Sequence, residues 1–232
     1  MIHVFYRHYN ISGKENWRPS WFDYEKCFDN FFQSIKNNDS VKVHIVYDGE
    51  DNSNFIFNKK HDFFHRINVG NDLGSFNKTL EIIKENPNFF VLNDIIYLLE
   101  NDYIHQKNWD FYVEEFFKSE YQNSYLTLYD HDDKYQQNID CKIIRTKSHH
   151  FRTTPSTCGS YIMNYKTFLE DYNFNFEVFD FLKNKTSLPL DHAKFLMLQK
   201  ISNRVLYSAI PGLSTHCLDN LMSPTINWGE LI

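Results

Sequence analysis

Residues 95–99, Ile-Ile-Tyr-Leu-Leu, are apolar without interruption and stop abruptly at Glu100-Asn101-Asp102. A run this short and this apolar, with no alternation, suits a central strand buried on both faces. Such a strand needs helices above and below it, and the preceding sequence supplies them. Residues 2–6 read as a buried strand. Residues 23–36 carry Tyr24, Cys27, Phe28, Phe31, Phe32 and Ile35 at helical spacing. Residues 41–47 alternate as a second strand, and 63–69 read as a third. Gly70-Asn71-Asp72-Leu73-Gly74 follows as a loop, and Ser75 is placed to cap a helix running to about residue 84. This β-α-β-α-β order predicts an α/β fold with a mostly parallel central sheet and helices on both faces.

The second half reads as a helix over 108–118, strands over 124–129 and 141–145, and a strand over 159–163 leading into a helix over 165–172. A helix over 191–200 and a last strand over 204–210 complete it. The aromatic-rich segment 174–181 reads either as an acceptor-side element or as core. No repeat, low-complexity tract or Gly/Ser linker interrupts the 232 residues, a length that fits one domain.

Open, mostly parallel sheets bind ligands beyond the carboxyl ends of their strands. The loops expected there carry Arg7-His8, Asp48-Gly49-Glu50, Asn71-Asp72-Leu73-Gly74 and Glu100-Asn101-Asp102. Four polar loops on one sheet edge make a candidate binding site. Glu100 and Asp102, at positions i and i+2 of a strand end, suit a hard divalent cation, although a strand ending in polar residues is common. His216, in the polar stretch after the last strand, can add a neutral imidazole, or it is an ordinary surface histidine among 11. Asp191 opens a helix, either as its N-cap or as a general base for a hydroxyl. Ser156-Thr157-Cys158-Gly159-Ser160 is either a plain turn or a place where backbone approaches a ligand closely.

The formal net charge of -6 argues against a dedicated nucleic-acid-binding module, which normally presents a basic face. Cys27, Cys141, Cys158 and Cys217 form no CxxC pair and match no zinc framework, so they read as reduced thiols of a cytoplasmic protein. The opening residues lack the basic-then-apolar order of a signal peptide, and no stretch approaches the roughly 20 apolar residues of a membrane span. The 22 Phe and 15 Tyr match what an AT-rich genome encodes, as in phages, viruses and low-GC bacteria. Neither a Gly-x-x-x-x-Gly-Lys nor a Gly-x-Gly-x-x-Gly motif occurs, which disfavours P-loop NTPases and nicotinamide dehydrogenases.

In this order, the motifs resemble those of GT-A-fold glycosyltransferases, and the chain looks similar to small viral and bacterial members. Glu100-Asn101-Asp102 matches the family's metal-binding Asp-x-Asp motif, with Glu in the first place. Cys158-Gly159-Ser160 matches its small-residue loop, Asp191 its catalytic acid at a helix start, and His216 its C-terminal metal-binding histidine. The resemblance implies a single domain over 1–232, with a nucleotide-binding half over 1–103 and an acceptor half over 104–232. It implies a nucleoside-diphosphate-sugar donor, with UDP-sugar favoured, and a hydroxyl acceptor. Asp102 and His216 would hold Mn²⁺ or Mg²⁺. Tyr6, Arg7, Asp48, Asn71, Gly74, Glu100, Asn101, Gly159 and Ser160 would contact the donor. Asp191 would act as base, with inversion at the anomeric carbon.

Three other readings stay open. A nucleotidyltransferase on a similar scaffold would carry a glycine-rich basic loop near the first strand, where this chain has only Arg7 and then Gly13-Lys14. A non-catalytic carbohydrate- or protein-binding domain would use the aromatic surplus for stacking. A metal-dependent hydrolase would use Asp130, Asp132 and Asp133.

Overall fold

The computed structural model describes residues 1–9, 17–136, 139–183 and 185–232. Its frame is a block of parallel strands: Ile2–Tyr9 (β1), Val41–Asp48 (β2), Phe63–Ile67 (β3) and Ile95–Glu100 (β4), in the order β3-β2-β1-β4. Every β1 residue from Ile2 to His8 is buried. Alternation by two divides its side chains between two cores. Val4 and Tyr6, with Tyr97 and Leu99 of β4, face one core; Phe5, with Ile96 and Leu98, faces the other.

Each core is closed by helices whose apolar residues recur at helical spacing. Tyr24–Gln33 (α1) and Trp109–Phe117 (α3) bring Phe28, Phe31, Val113 and Phe116 to the first face. Asp72–Glu85 (α2) brings Phe76, Leu80 and Ile83 to the second. There they meet Tyr165–Glu170 (α5), Tyr172–Leu182 (α6) and Leu190–Ser202 (α7). Segment 174–181 thus lies within α6, with Val178 and Phe179 in the core and Phe181 exposed.

The sheet continues through Tyr125–Thr127 (β6), Ile143–Arg145 (β7), His150–Thr153 (β8), Tyr161–Asn164 (β9) and Leu206–Ile210 (β10), in the order β4-β9-β6-β10-β8-β7. Between α3 and β8 lies the short helix Asp133–Gln136 (α4). The pairings set β9 and β8 antiparallel to the rest, so seven of these nine strands run one way. A separate antiparallel pair joins Tyr103–His105 (β5) to Ser214–His216 (β11). This is a mixed α/β domain with a large, mostly parallel sheet flanked by helices.

Three expectations need correction. α2 begins at Asp72, and its N-cap is Asn71, whose Oδ1 accepts from the Gly74 N–H at 2.8 Å; Ser75 lies inside the helix. The strand ending at Ile210 is not the last, because β11 follows and carries His216. Asp191 is not an N-cap, since Pro189 occupies that position and Asp191 is the helix's second residue.

One feature at the sheet edge had no sequence signal. His3, His44 and His65 stand on neighbouring strands and hydrogen-bond in a row at 3.1 and 3.2 Å, packed among Phe5, Phe63, Phe89 and Phe90. Asp94 Oδ2 lies 3.6 Å from the His3 end. Burial lowers His3 to about 4 despite Asp94, lowers His44 to about 2, and lowers His65 as well. These histidines are neutral when folded and titrate at 6.5 when unfolded. Their contribution to stability is therefore complete above pH 6.5 and is lost as the pH falls towards the folded values. We expect the melting temperature to drop steeply between pH 6.5 and 4. His44→Leu should cost about 1 kcal/mol at neutral pH but flatten this acid limb. Thermal melts across pH check this, and an unchanged slope would clear the row as its cause.

Candidate functional site

At the carboxyl ends of the parallel strands, two adjoining clefts open, of about 350 and 450 Å³. They share Arg7, Asp72, Glu100 and His216. The loops expected to converge there do so: the first cleft is lined by Arg7, Asp48, Asn71 and Glu100-Asn101-Asp102. Gly13 and Lys14 lie outside the described residues.

Register builds the centre. Parallel pairing sets Arg7 of β1 opposite Glu100 of β4, and Arg7 Nη2 donates to Glu100 Oε1 at 2.7 Å. Its Nη1 donates to Asp72 Oδ1 at 2.9 Å, tying the start of α2 to the same point. Antiparallel pairing of β9 with β4 brings Gly159-Ser160 alongside, where the Glu100 N–H donates to Ser160 Oγ at 3.0 Å. Pairing of β11 with β5 sets His216 opposite Tyr103, and the two rings stack at 5.0 Å. The Cys217 N–H donates to the Asp102 carbonyl at 2.9 Å. His216 Nε2 consequently lies 2.9 Å from Asp102 Oδ2. Glu100, Asp102 and His216 each present one ligand atom within 4.8 Å of the others, and among the described residues this is the one such acidic or imidazole triad.

Charge is concentrated and poorly hydrated here. Burial pushes Glu100 up to about 7, against the Arg7 guanidinium. Burial would also raise Asp102, but His216 and Arg18 override it and hold Asp102 at about 2. Burial would lower His216, but the Asp102 carboxylate, with help from the Cys158 thiol, raises it to about 10. Arg18 Nη1 reaches Asp102 Oδ2 at 2.8 Å. Asp102 Oδ1 is buried and makes no hydrogen bond.

The donor set of two carboxylates and an imidazole fits Mn²⁺ or Mg²⁺. An orphaned, buried carboxylate oxygen is also the kind of atom a cation satisfies. The fit has a condition: His216 must lose its proton to ligate.

The second cleft meets the same centre from the other side. Asp191 Oδ2 accepts from the Gly159 N–H at 3.0 Å, which fixes the carboxylate at the cleft wall. Gly159 has φ +50°, and a Cβ there would stand 2.1 Å from Glu100 Oε2, so both conformation and close approach demand glycine. Leu73, Phe76, Phe179, Pro189 and Leu190 make the rest of this wall largely apolar. Behind it, Lys194 is fully buried among Phe76, Phe179 and Phe195. Its Nζ donates to the Tyr161 hydroxyl at 2.5 Å, and burial brings it down to about 7.

Other expected site residues work one step back. Tyr6 lies beneath the cleft and donates to the Asn101 carbonyl at 3.1 Å, while Asn101 Nδ2 donates to His8 Nδ1 at 3.0 Å. Asp48 spends its oxygens on the Val69 and Gly70 N–H groups, at 2.8 and 3.0 Å. Asn71 is occupied as a cap. A Cβ on Gly74 would stand 2.1 Å from Val69 Cγ1, so Gly74 serves packing.

Asp130, a candidate in the hydrolase reading, is fully buried. It pairs with Arg152 Nη2 at 2.6 Å and accepts from the Tyr135 hydroxyl at 2.6 Å. Arg18 and Lys194 carried no signal in the sequence, whereas Asp72 was visible only as part of a polar loop at the sheet edge.

No protein-family model matches the sequence, and no curated protein matches it. Solved structures do match. S. aureus TarS 1-349 aligns with TM-score 0.50 at 13% identity, over 90% of this chain and 60% of that one. Francisella tularensis 2-C-methyl-D-erythritol 4-phosphate cytidylyltransferase (IspD) aligns with TM-score 0.48 at 14% identity, over 99% and 96%. The glycosyltransferase GlyE of Streptococcus pneumoniae TIGR4 aligns with TM-score 0.47 at 10% identity, over 89% and 44%. The chain spans well under two thirds of GlyE and about three fifths of TarS 1-349. The fold is GT-A-like.

Replacing Asp102 with Asn removes the charge that overrides the burial of His216. We expect His216 in Asp102→Asn to titrate well below its wild-type value of about 10. An NMR titration of its ring protons checks this, and a value still near 10 would refute the pairing as the cause.

Proposed function

We propose that the chain is a divalent-metal-dependent glycosyltransferase that moves a sugar from a nucleoside-diphosphate sugar to an acceptor hydroxyl, with inversion. The observation that carries this reading is the meeting of Glu100, Asp102 and His216 at the junction of two clefts, with Asp191 on the far wall. It also draws support from the GT-A-like fold. On this reading, residues 1–103 form the donor half of one domain and 104–232 the acceptor half.

The first cleft takes the nucleotide, with a UDP-sugar as the favoured donor. Asp48, Asn71 and Asn101 shape its wall, Tyr6 and Gly74 support it from behind, and Arg7 faces the diphosphate. Asp102 and His216, with Glu100 beside them, would hold Mn²⁺ or Mg²⁺, which supplies Lewis-acid neutralisation of the leaving diphosphate. The sugar lies at the junction, where Gly159 leaves room and Ser160 steadies Glu100. The acceptor enters the second cleft, and Asp191 takes the proton of its hydroxyl as that oxygen attacks the anomeric carbon. Asp191 stands across Gly159 from the metal-binding triad, a placement that suits attack opposite the leaving group and so inversion.

No helix among the described residues is long and apolar enough to cross a membrane, and the four cysteines are free. Both fit our reading of a cytoplasmic enzyme.

The test is release of nucleoside diphosphate from a panel of nucleotide sugars with Mn²⁺, first in water and then with hydroxyl acceptors. We expect one nucleotide class to be turned over. Asp191→Asn should keep donor affinity and lose transfer by about 10²- to 10⁴-fold. Full turnover by Asp191→Asn would remove it as the base, and a retained anomeric configuration in the product would refute inversion.

A further inference from the structure

Asp102 does not present a bare carboxylate to the cleft. Its Oδ2 already meets the Arg18 guanidinium, with Nη1 at 2.8 Å, and the His216 imidazole, with Nε2 at 2.9 Å, while Oδ1 is buried with no donor. A carboxylate with one crowded oxygen and one desolvated, unsatisfied oxygen is an arrangement that proteins rarely leave without purpose. Arg18 has further contacts. Its guanidinium lies 4.6 Å over the Phe22 ring, and Nη1 also donates to the Cys217 carbonyl at 3.0 Å. Only 8% of its side chain is exposed, and it lines the donor cleft beside Arg7. The ring and the carbonyl are uncharged anchors, whereas Asp102 meets the guanidinium with a full negative charge.

We infer that Arg18 is the resident counter-ion of Asp102, which a divalent cation displaces and which the donor's diphosphate then receives. The inference rests on the glycosyltransferase reading of this cleft and deepens it. Like charges repel in a poorly hydrated site, so a cation bound to Asp102 and a guanidinium on the same carboxylate oppose one another, even where they use different oxygens. Diphosphate oxygens offer the released planar guanidinium a bidentate partner that suits it at least as well. Metal and nucleotide therefore enter as a linked pair. Without nucleotide, Arg18 competes with the metal; with nucleotide, the diphosphate draws the guanidinium away from Asp102. The stacked Phe22 ring and the Cys217 carbonyl keep the guanidinium within the cleft during the exchange.

The test measures Mn²⁺ binding by electron paramagnetic resonance, with and without uridine diphosphate, so it does not depend on turnover. In the wild type, each ligand should tighten the other by about 10-fold or more, and by the same factor in both directions. Arg18→Gln keeps a donor for the Cys217 carbonyl but removes the charge. It should tighten Mn²⁺ binding to the nucleotide-free protein about 10-fold, weaken nucleotide binding, and reduce the coupling to below about 3-fold. Arg18→Lys, which keeps the charge, should leave nucleotide-free Mn²⁺ affinity close to wild type. If Arg18→Gln leaves that affinity unchanged or weaker while the wild type binds both ligands, the counter-ion role is wrong and the donor-site reading stands. If the wild type binds both ligands without coupling, the role is likewise wrong, even if neither variant folds. If the wild type binds neither ligand, the donor-site reading itself fails.

Discussion

The cleft is organised around buried charges that must neutralise one another. Glu100 and Asp102 sit at the end of a strand with apolar cores on both sides, where an unpaired carboxylate is costly. Arg7 answers Glu100 and Asp72, while Arg18 and His216 answer Asp102. Each cation comes from a different part of the chain: β1, the segment ahead of α1, and β11. Pairing them therefore requires the parallel register of β1 with β4 and the antiparallel register of β11 with β5. The same constraint reaches the second cleft. Glu100 leaves no room for a side chain at position 159, and the N–H of that glycine holds Asp191.

Much of this was legible in the sequence because burial writes a local pattern. β4 was visible as an unbroken apolar run, and α1 as aromatics at helical spacing. The alternation of the first half also disclosed the parallel block, and with it the edge where polar loops would gather. β5, only three residues long and directly after the polar turn at 100–102, went unseen, and β11 appeared only as a polar loop. Local chemistry was sometimes ambiguous in kind. Asn71 and Ser75 are both capable caps, and only the Gly74 N–H contact decides for Asn71. Asp191 looked like a cap because it opens a helical pattern, yet its partner is Gly159, 32 residues away.

The site residues divide in the same way. Glu100, Asp102, Asp191 and His216 were visible as polar residues where apolar elements end. Arg18 was not: it sits in Trp17-Arg18-Pro19, with no periodicity around it, and reaches Asp102 only through the fold. Lys194 reads as an ordinary helix lysine, and only the packing of α7 on α2 and α6 encloses it in aromatic rings. In the opposite direction, Asp130, with Asp132 and Asp133 close by, looked like a metal cluster. The structure pairs Asp130 with Arg152 and Tyr135 and leaves the three carboxylates outside any metal-sized group among the described residues.

The central claim is that this charge-balanced cleft is a metal-dependent nucleotide site. Its most direct test is a calorimetric titration of the wild-type protein with uridine, guanosine, cytidine and adenosine diphosphates, with and without Mn²⁺. We predict binding of one nucleotide class, with uridine diphosphate favoured, that appears with Mn²⁺ and is lost on chelation. Binding that ignores the cation, or no binding of any diphosphate, would contradict it.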